Sequence, residues 1–143
     1  MLNKILFSSQ RSDWETPLRF FRELDEEFHF TLDPCCWPKT AKCAKFYTPK
    51  ENGLVQDWQG ETLFCNPPYG KQITEWVMKC HHEGSKPGTT VVLLIPARTC
   101  TRYFHRYIYK IAHEVRFIKG RLRFVGAPYP APFPSMVVIF KPI

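Results

Sequence analysis

The stretch "FCNPPYG", residues 64–70, puts an amide, two prolines, an aromatic ring and a glycine directly after an apolar run. The side-chain oxygen of Asn66 accepts hydrogen bonds, and so does the carbonyl of Pro67. Neither Pro67 nor Pro68 has an N–H to donate, so the turn presents acceptors on a stiff backbone. Two adjacent acceptors match an exocyclic NH2, such as N6 of adenine. Tyr69 adds a flat face on which a base can stack, worth roughly 1–3 kcal/mol. Such an amine is a poor nucleophile because its lone pair is delocalised into the ring. Paired acceptors pull it toward tetrahedral geometry and stabilise the positive charge that develops as it gains a methyl group. No strong general base is needed, because the nitrogen becomes acidic only after attack. The alternative is a proline-stiffened loop with an Asn cap. The setting, after a strand and before a helix, favours chemistry.

The elements that must position this turn follow from periodicity. Thr16-Pro17 reads as N-cap and first helical residue. Leu18, Phe21, Leu24 and Phe28 then predict a helix from Pro17 to Glu27. "HFTLD" reads as a short strand ending at Asp33. "PCCWPKTAKCAKFYTPKENG" reads mostly as loop, with a helical turn near Ala41 to Lys45. "ETLFC" is a strand leading into the turn. Ile73, Trp76, Val77 and Cys80 predict a helix from Lys71 to Glu83, ended by Gly84. "TTVVLLI" is apolar on both faces, as in a buried parallel strand. "TRYFHRYIYKIA" reads as helix, "EVRFI", "RLRF" and "SMVVIF" as strands, and "GAPYPAPFP" as loop. Strands alternate with helices until the last third, which predicts an α/β sheet, largely parallel, with a hairpin-like antiparallel end. Ligands collect at the carboxyl ends of such strands. Asp33, Asn66 to Gly70 and Pro96 to Arg98 all fall there.

The bulk numbers bound the reading. The chain has 143 residues, 44% of them hydrophobic, which suits one domain over residues 1–143, with residues 1–10 read as a flexible lead-in. The net charge of +7 favours anionic partners, nucleic acid first among them. The longest apolar stretch is far short of a membrane span, and the first ten residues lack the make-up of a secretion signal, so a cytoplasmic protein is expected. Six cysteines lie at 35, 36, 43, 65, 80 and 100 with no CxxC spacing, which predicts free thiols and no metal site.

The order of "DWETP", "FTLDPCC", "GLVQDW", "FCNPPYG", "TTVVLLIPART", "RLRF" and "PFPSMVVIF" resembles the short phage- and prophage-encoded DNA N6-adenine methyltransferases of the Dam type, over nearly the whole chain. "NPPY" is the signature of amino-group methyltransferases. The resemblance implies a truncated Rossmann-like, class I methyltransferase sheet, S-adenosylmethionine as cofactor, and duplex DNA as partner with the target base flipped out. It implies catalytic roles for Asn66, Pro67, Pro68 and Tyr69. Thr16 and Pro17 would open a helix beside the cofactor's methionine part. Asp33, followed by Pro34 and Cys35, would take its amino group. Asp57 would accept from its adenine, with Trp58 as an apolar wall. Both aspartates also read as turn residues. The usual glycine-rich loop after the first strand is missing from "DPCCWPKT", so the cofactor would sit differently against Cys35 and Cys36. Glu51 is the one acid between Asp33 and Asp57 that could meet the ribose. The chain is too short for a separate target-recognition domain.

For DNA contact, Arg98, Arg102 and Arg106 recur at spacing four, and Arg121 and Arg123 alternate in a strand pattern. Singly these are ordinary solvated arginines. As a group at the pocket mouth they suit phosphates. Tyr129 and Phe133 either act as a wedge between bases or cover the core. Rival functions are a catalytically silent nucleic-acid-binding module of the same fold, and an NPPY enzyme acting on RNA, on cytosine N4 or on a protein glutamine.

Overall fold

The computed structural model describes residues 13–143. The expectation for residues 1–10 lies outside the described residues. In chain order the elements are α1 (Leu18–Phe28), β1 (Leu32–Asp33), β2 (Lys45–Phe46), a 3-10 turn (Gly53–Val55), β3 (Thr62–Cys65), α2 (Ile73–Gly84), β4 (Thr90–Pro96), a short π-type helical segment (Phe104–Ile108), β5 (Glu114–Phe117) and β6 (Ser135–Phe140). The six strands form one sheet in the order β2-β1-β3-β4-β6-β5. The first four are mutually parallel, and β6 runs antiparallel to both β4 and β5. This is the expected α/β sheet with its antiparallel end.

Alternation along the central strands explains their uniform apolarity. Leu63, Cys65, Val91, Leu93, Ile95, Met136 and Val138 face α2, where they meet Trp58, Trp76, Val77, Phe104 and Ile108. Phe64, Val92, Leu94, Val137 and Ile139 face α1, meeting Phe21, Leu24, Trp14, Phe124 and Phe133. Each fully buried side chain of this size contributes about 1.5–3 kcal/mol. With both faces covered, β3 and β4 are held rigidly, and their carboxyl ends become fixed points.

Several elements differ from the sequence expectation, each for a local reason. β2 lies in the stretch read as loop, and no helical turn forms at Ala41 to Lys45. Two residues at a sheet edge carry no period to read. Thr16 is not the helix cap: Pro17 occupies the boundary and makes no side-chain cap. Gly84 is the last residue of α2 rather than a left-handed terminator, and a Cβ there would lie 2.4 Å from the Phe140 Cβ. It permits α2 to press on β6.

"TRYFHRYIYKIA" yields only a five-residue helical segment, because Tyr109 turns extended and Lys110 adopts a φ of 61°. "RLRF" is not a strand. Leu122 and Phe124 pack inward, while the backbone bonds other segments: Ala131 N–H to the Leu122 carbonyl and Val125 N–H to that of Glu15. Alternation alone does not distinguish this from a sheet pairing. No helix among the described residues is long and apolar enough to cross a membrane.

Candidate active site

β3 ends at Cys65, so Asn66 stands at the carboxyl edge of the sheet, on an irregular turn that leads to α2. Its side chain is bonded at every corner. Nδ2 donates to the Trp14 carbonyl and, at 2.8 Å, to Thr16 Oγ1. Oδ1 accepts from the Tyr69 hydroxyl, which also reaches the Leu94 carbonyl at 3.1 Å. A backbone carbonyl can only accept, so the amide nitrogen must face Trp14 and the oxygen must face away. Trp14 is itself braced, its ring meeting the edges of Phe124 at 5.4 Å and Phe133 at 5.2 Å.

Beside Asn66 opens a cavity of about 520 Å³. Its wall includes Thr16, Asp33, Pro34, Cys35, Pro67 and Pro68, so the sheet edge brings together seven of the residues singled out from sequence. Asp33, at the end of β1, is 3% exposed. Its oxygens accept from Cys35 N–H at 3.3 Å and Lys42 N–H at 3.0 Å. Burial raises its carboxyl from the usual 3.8 to about 6, against the opposing pull of those two N–H bonds. Burial and the nearby Asp33 charge push Cys43 up to about 12 and Cys35 and Cys36 higher still. All three thiols are neutral rather than nucleophilic, and Cys35 and Cys36 line the wall. Lys42 and Glu15 form an ion pair at 3.2 Å on the same wall.

Gly53 and Trp76 are among the wall residues not identified from sequence as site residues. Gly53 lies so close to Pro34 that a Cβ would sit 2.1 Å from the Pro34 oxygen. Its signal was the glycine before the apolar pair in "NGLV". Trp76 reads as helix core, and it is core, but it also lines the cavity. Its indole nitrogen is buried without a hydrogen-bond partner among the described residues. No regularity in the sequence could mark that orphan donor.

Other expectations are not met at the cavity. Asp57 is solvent-exposed, with its carboxylate on Lys86 at 3.1 Å and on the Gln59 N–H. Trp58 is fully buried under α2, its indole N–H on the Gly53 carbonyl at 3.0 Å and its ring over Trp76. Its backbone N–H meets the buried Glu83, which Lys86 and Lys79 neutralise. The "QDW" segment therefore locks a loop onto α2. Pro17 and Glu51 are absent from the wall, and Glu51 bonds Thr48.

Tyr69 is not on the cavity wall either. Its ring faces the edges of Phe124 and Phe133, at 6.4 and 5.7 Å. Phe133 covers the core, whereas Tyr129 is 76% exposed. Arg98, Arg102 and Arg106 are exposed beyond the carboxyl end of β4, beside the Asn66 edge. Arg98 lies before the chain becomes helical at residue 102, so the three do not share one helix face. Arg121 and Arg123 instead hold the loop, bonding the carbonyls of Ala131, Ala127 and Pro128.

Comparison with known proteins agrees with this geometry. Residues 4–143 match the family described as DNA N-6-adenine-methyltransferase (Dam). The chain is 28% identical over 141 residues to the DNA N-6-adenine-methyltransferase of Haemophilus phage HP1 (strain HP1c1), covering 94% of this chain and 81% of that protein. It is 36% identical over 63 residues to YfdM of Escherichia coli (strain K12), covering 39% of this chain and 69% of that protein. A match over nearly the whole length, on a sheet whose edge carries the Asn66 turn, places the chain in the DNA N6-adenine methyltransferase (Dam) family.

Proposed function

We propose that this chain transfers a methyl group from S-adenosylmethionine to N6 of an adenine flipped out of duplex DNA. The observation that carries the reading is the Asn66 amide, held with its oxygen as an acceptor beside a cavity of about 520 Å³. That volume falls within the roughly 300–1,000 Å³ usual for small-molecule sites.

The wall suits the cofactor's chemistry. It offers a carboxylate for an ammonium group at Asp33. It offers a hydroxyl next to the start of α1 at Thr16, where a carboxylate is favoured. It offers apolar and ring surface at Pro34, Cys35 and Trp76, the last with an unpartnered N–H that a purine acceptor could satisfy. When bound, S-adenosylmethionine supplies an electrophilic methyl group on a sulfonium. The chain's own residues do the rest. Asn66 Oδ1 and the Pro67 carbonyl accept from the adenine amine and stabilise the charge that develops on it. Pro67 and Pro68 keep that edge stiff and free of competing donors. The proton leaves to solvent after the methyl group is in place, so no strong base is required. Tyr69 stacks on the base once it leaves Phe124, Phe133 and its bond to Asn66 Oδ1, which frees that oxygen for the amine.

Incubation with isotope-labelled cofactor and plain duplex DNA tests the proposal. Label should appear in N6-methyladenine. Label in N4-methylcytosine, in RNA or in a protein glutamine would reassign the substrate. DNA binding without transfer to any acceptor would leave a silent module.

A further inference from the structure

We infer that Thr16 is a positioning residue for Asn66, and that its hydroxyl couples the occupied cofactor cavity to the amide that holds the target amine. The inference rests on the function proposed above. It starts from hydrogen-atom bookkeeping at Asn66. The amide nitrogen has two hydrogens, one bound by the Trp14 carbonyl and the other by Thr16 Oγ1 at 2.8 Å. The Trp14 contact decides which way the amide faces. The Thr16 contact, with the Tyr69 hydroxyl on Oδ1, fixes its remaining rotation, and Thr16 does so alone once Tyr69 turns to a stacked base.

Having accepted from Asn66, the Thr16 hydroxyl still owns a donor hydrogen. Among the described residues no acceptor takes it, although Thr16 is only 2% exposed and lines the cavity. A group bound in the cavity can accept that hydrogen. A hydroxyl that donates to the ligand becomes a better acceptor for Asn66 Nδ2, because hydrogen bonds in a chain polarise one another. Cofactor occupancy therefore tightens the orientation of Asn66. Thr16 does this from a rigid place: Trp14, two residues before it, is wedged between Phe124 and Phe133, and α1 starts two residues after it.

The test compares Thr16→Val, which keeps the shape and loses the hydroxyl, with Thr16→Ser, which keeps the hydroxyl. At saturating cofactor and DNA, Thr16→Val should lose roughly ten- to a hundredfold in kcat, the effect of one broken bond at a buried polar group. Thr16→Ser should return kcat to near wild type. Affinity for S-adenosylhomocysteine, measured by calorimetry, should fall less in Thr16→Val than kcat does. Wild-type kcat at saturation in Thr16→Val, with any loss confined to KM for the cofactor, would reduce Thr16 to an ordinary binding residue and overturn the inference.

A second readout needs no turnover. In the ligand-free protein both Asn66 side-chain amide protons should show hydrogen-bonded NMR shifts, and one should be released in Thr16→Val. S-adenosylhomocysteine should shift the Asn66 amide signals in wild type and not in Thr16→Val. Unchanged amide signals in the variant would also overturn the inference. If the wild type makes no N6-methyladenine, the proposed function fails by itself, and the amide signals still decide the role of Thr16.

Discussion

At the scale of single residues, the site is a set of polar groups whose freedom has been removed. Both Nδ2 hydrogens of Asn66 go to buried neighbours, Trp14 and Thr16, so the direction of its oxygen is set before any ligand arrives. Asn66→Ala should lower kcat by about 10²–10³-fold, as for loss of one preorganised transition-state donor or acceptor. DNA affinity should be retained, and wild-type turnover in this variant would remove its catalytic role.

Asp33 gives a pH prediction whose two halves have opposite signs. Its carboxyl titrates near 6 in the fold against a usual 3.8, so between those values the folded chain binds more protons than the unfolded one. Its contribution to stability is fullest below about 3.8, declines as pH rises toward 6 and is level above. On the proposed function, Asp33 must be ionised to hold the cofactor's ammonium. Affinity for S-adenosylhomocysteine should therefore weaken by roughly tenfold per pH unit below 6, and Asp33→Asn should abolish that dependence. A flat wild-type profile across that window would mean that Asp33 does not meet the ammonium. The types and places of Asn66, Asp33 and Thr16 were legible because each lies at or beside the end of a strand or the start of a helix. Their partners were not. That Thr16 turns to Asn66 rather than to its own helix depends on a contact across 50 residues.

At the scale of elements, legibility followed length and burial. β3, β4 and β6 show as continuous apolar runs, and α1 and α2 carry enough buried positions to display their period. β1 and β2 are two residues each, and their pairing is decided by β3 and by the loop that returns to the sheet edge. "RLRF" alternates as a strand would, yet its inward residues pack under a loop. The segment "ENGLVQDW" shows the same problem from the other side. Its acid and tryptophan looked like ligand contacts, but they tie the segment to α2, and its glycine is what reaches the cavity. Gly53→Ala would place a methyl group 2.1 Å from the Pro34 oxygen, where neither backbone can yield easily. It should cost about 1–3 kcal/mol of stability, as overpacking does, and displace Pro34 from the cavity wall. Denaturant titration and calorimetry with S-adenosylhomocysteine check both effects. Unchanged stability together with unchanged affinity would mean the Pro34–Gly53 contact is loose in solution.

At the scale of the whole molecule, the net charge of +7 must be assigned before it means anything. Several basic residues are engaged within the fold and leave the excess to others: Arg116 is clamped between Glu27 and Glu114, Lys79 and Lys86 neutralise Glu83, and Lys42 pairs with Glu15. Arg121 and Arg123 hold loop carbonyls. Arg98, Arg102 and Arg106 are exposed and lie past the end of β4, next to the edge where Asn66 stands. A duplex presented to that edge for base flipping would set its phosphates against them. Flipping costs a few kcal/mol, which contacts to the phosphates offset. DNA affinity should fall steeply with salt, because each phosphate contact releases condensed counterions. Replacing Arg98, Arg102 and Arg106 together by Ala should weaken binding and reduce the slope of log K against log[salt] by about 0.9 per arginine lost from contact. Arg123→Ala should leave that slope nearly unchanged, because its guanidinium serves the loop. An equal loss of slope from Arg123→Ala, or none from the triple variant, would move the DNA path to another face of the sheet.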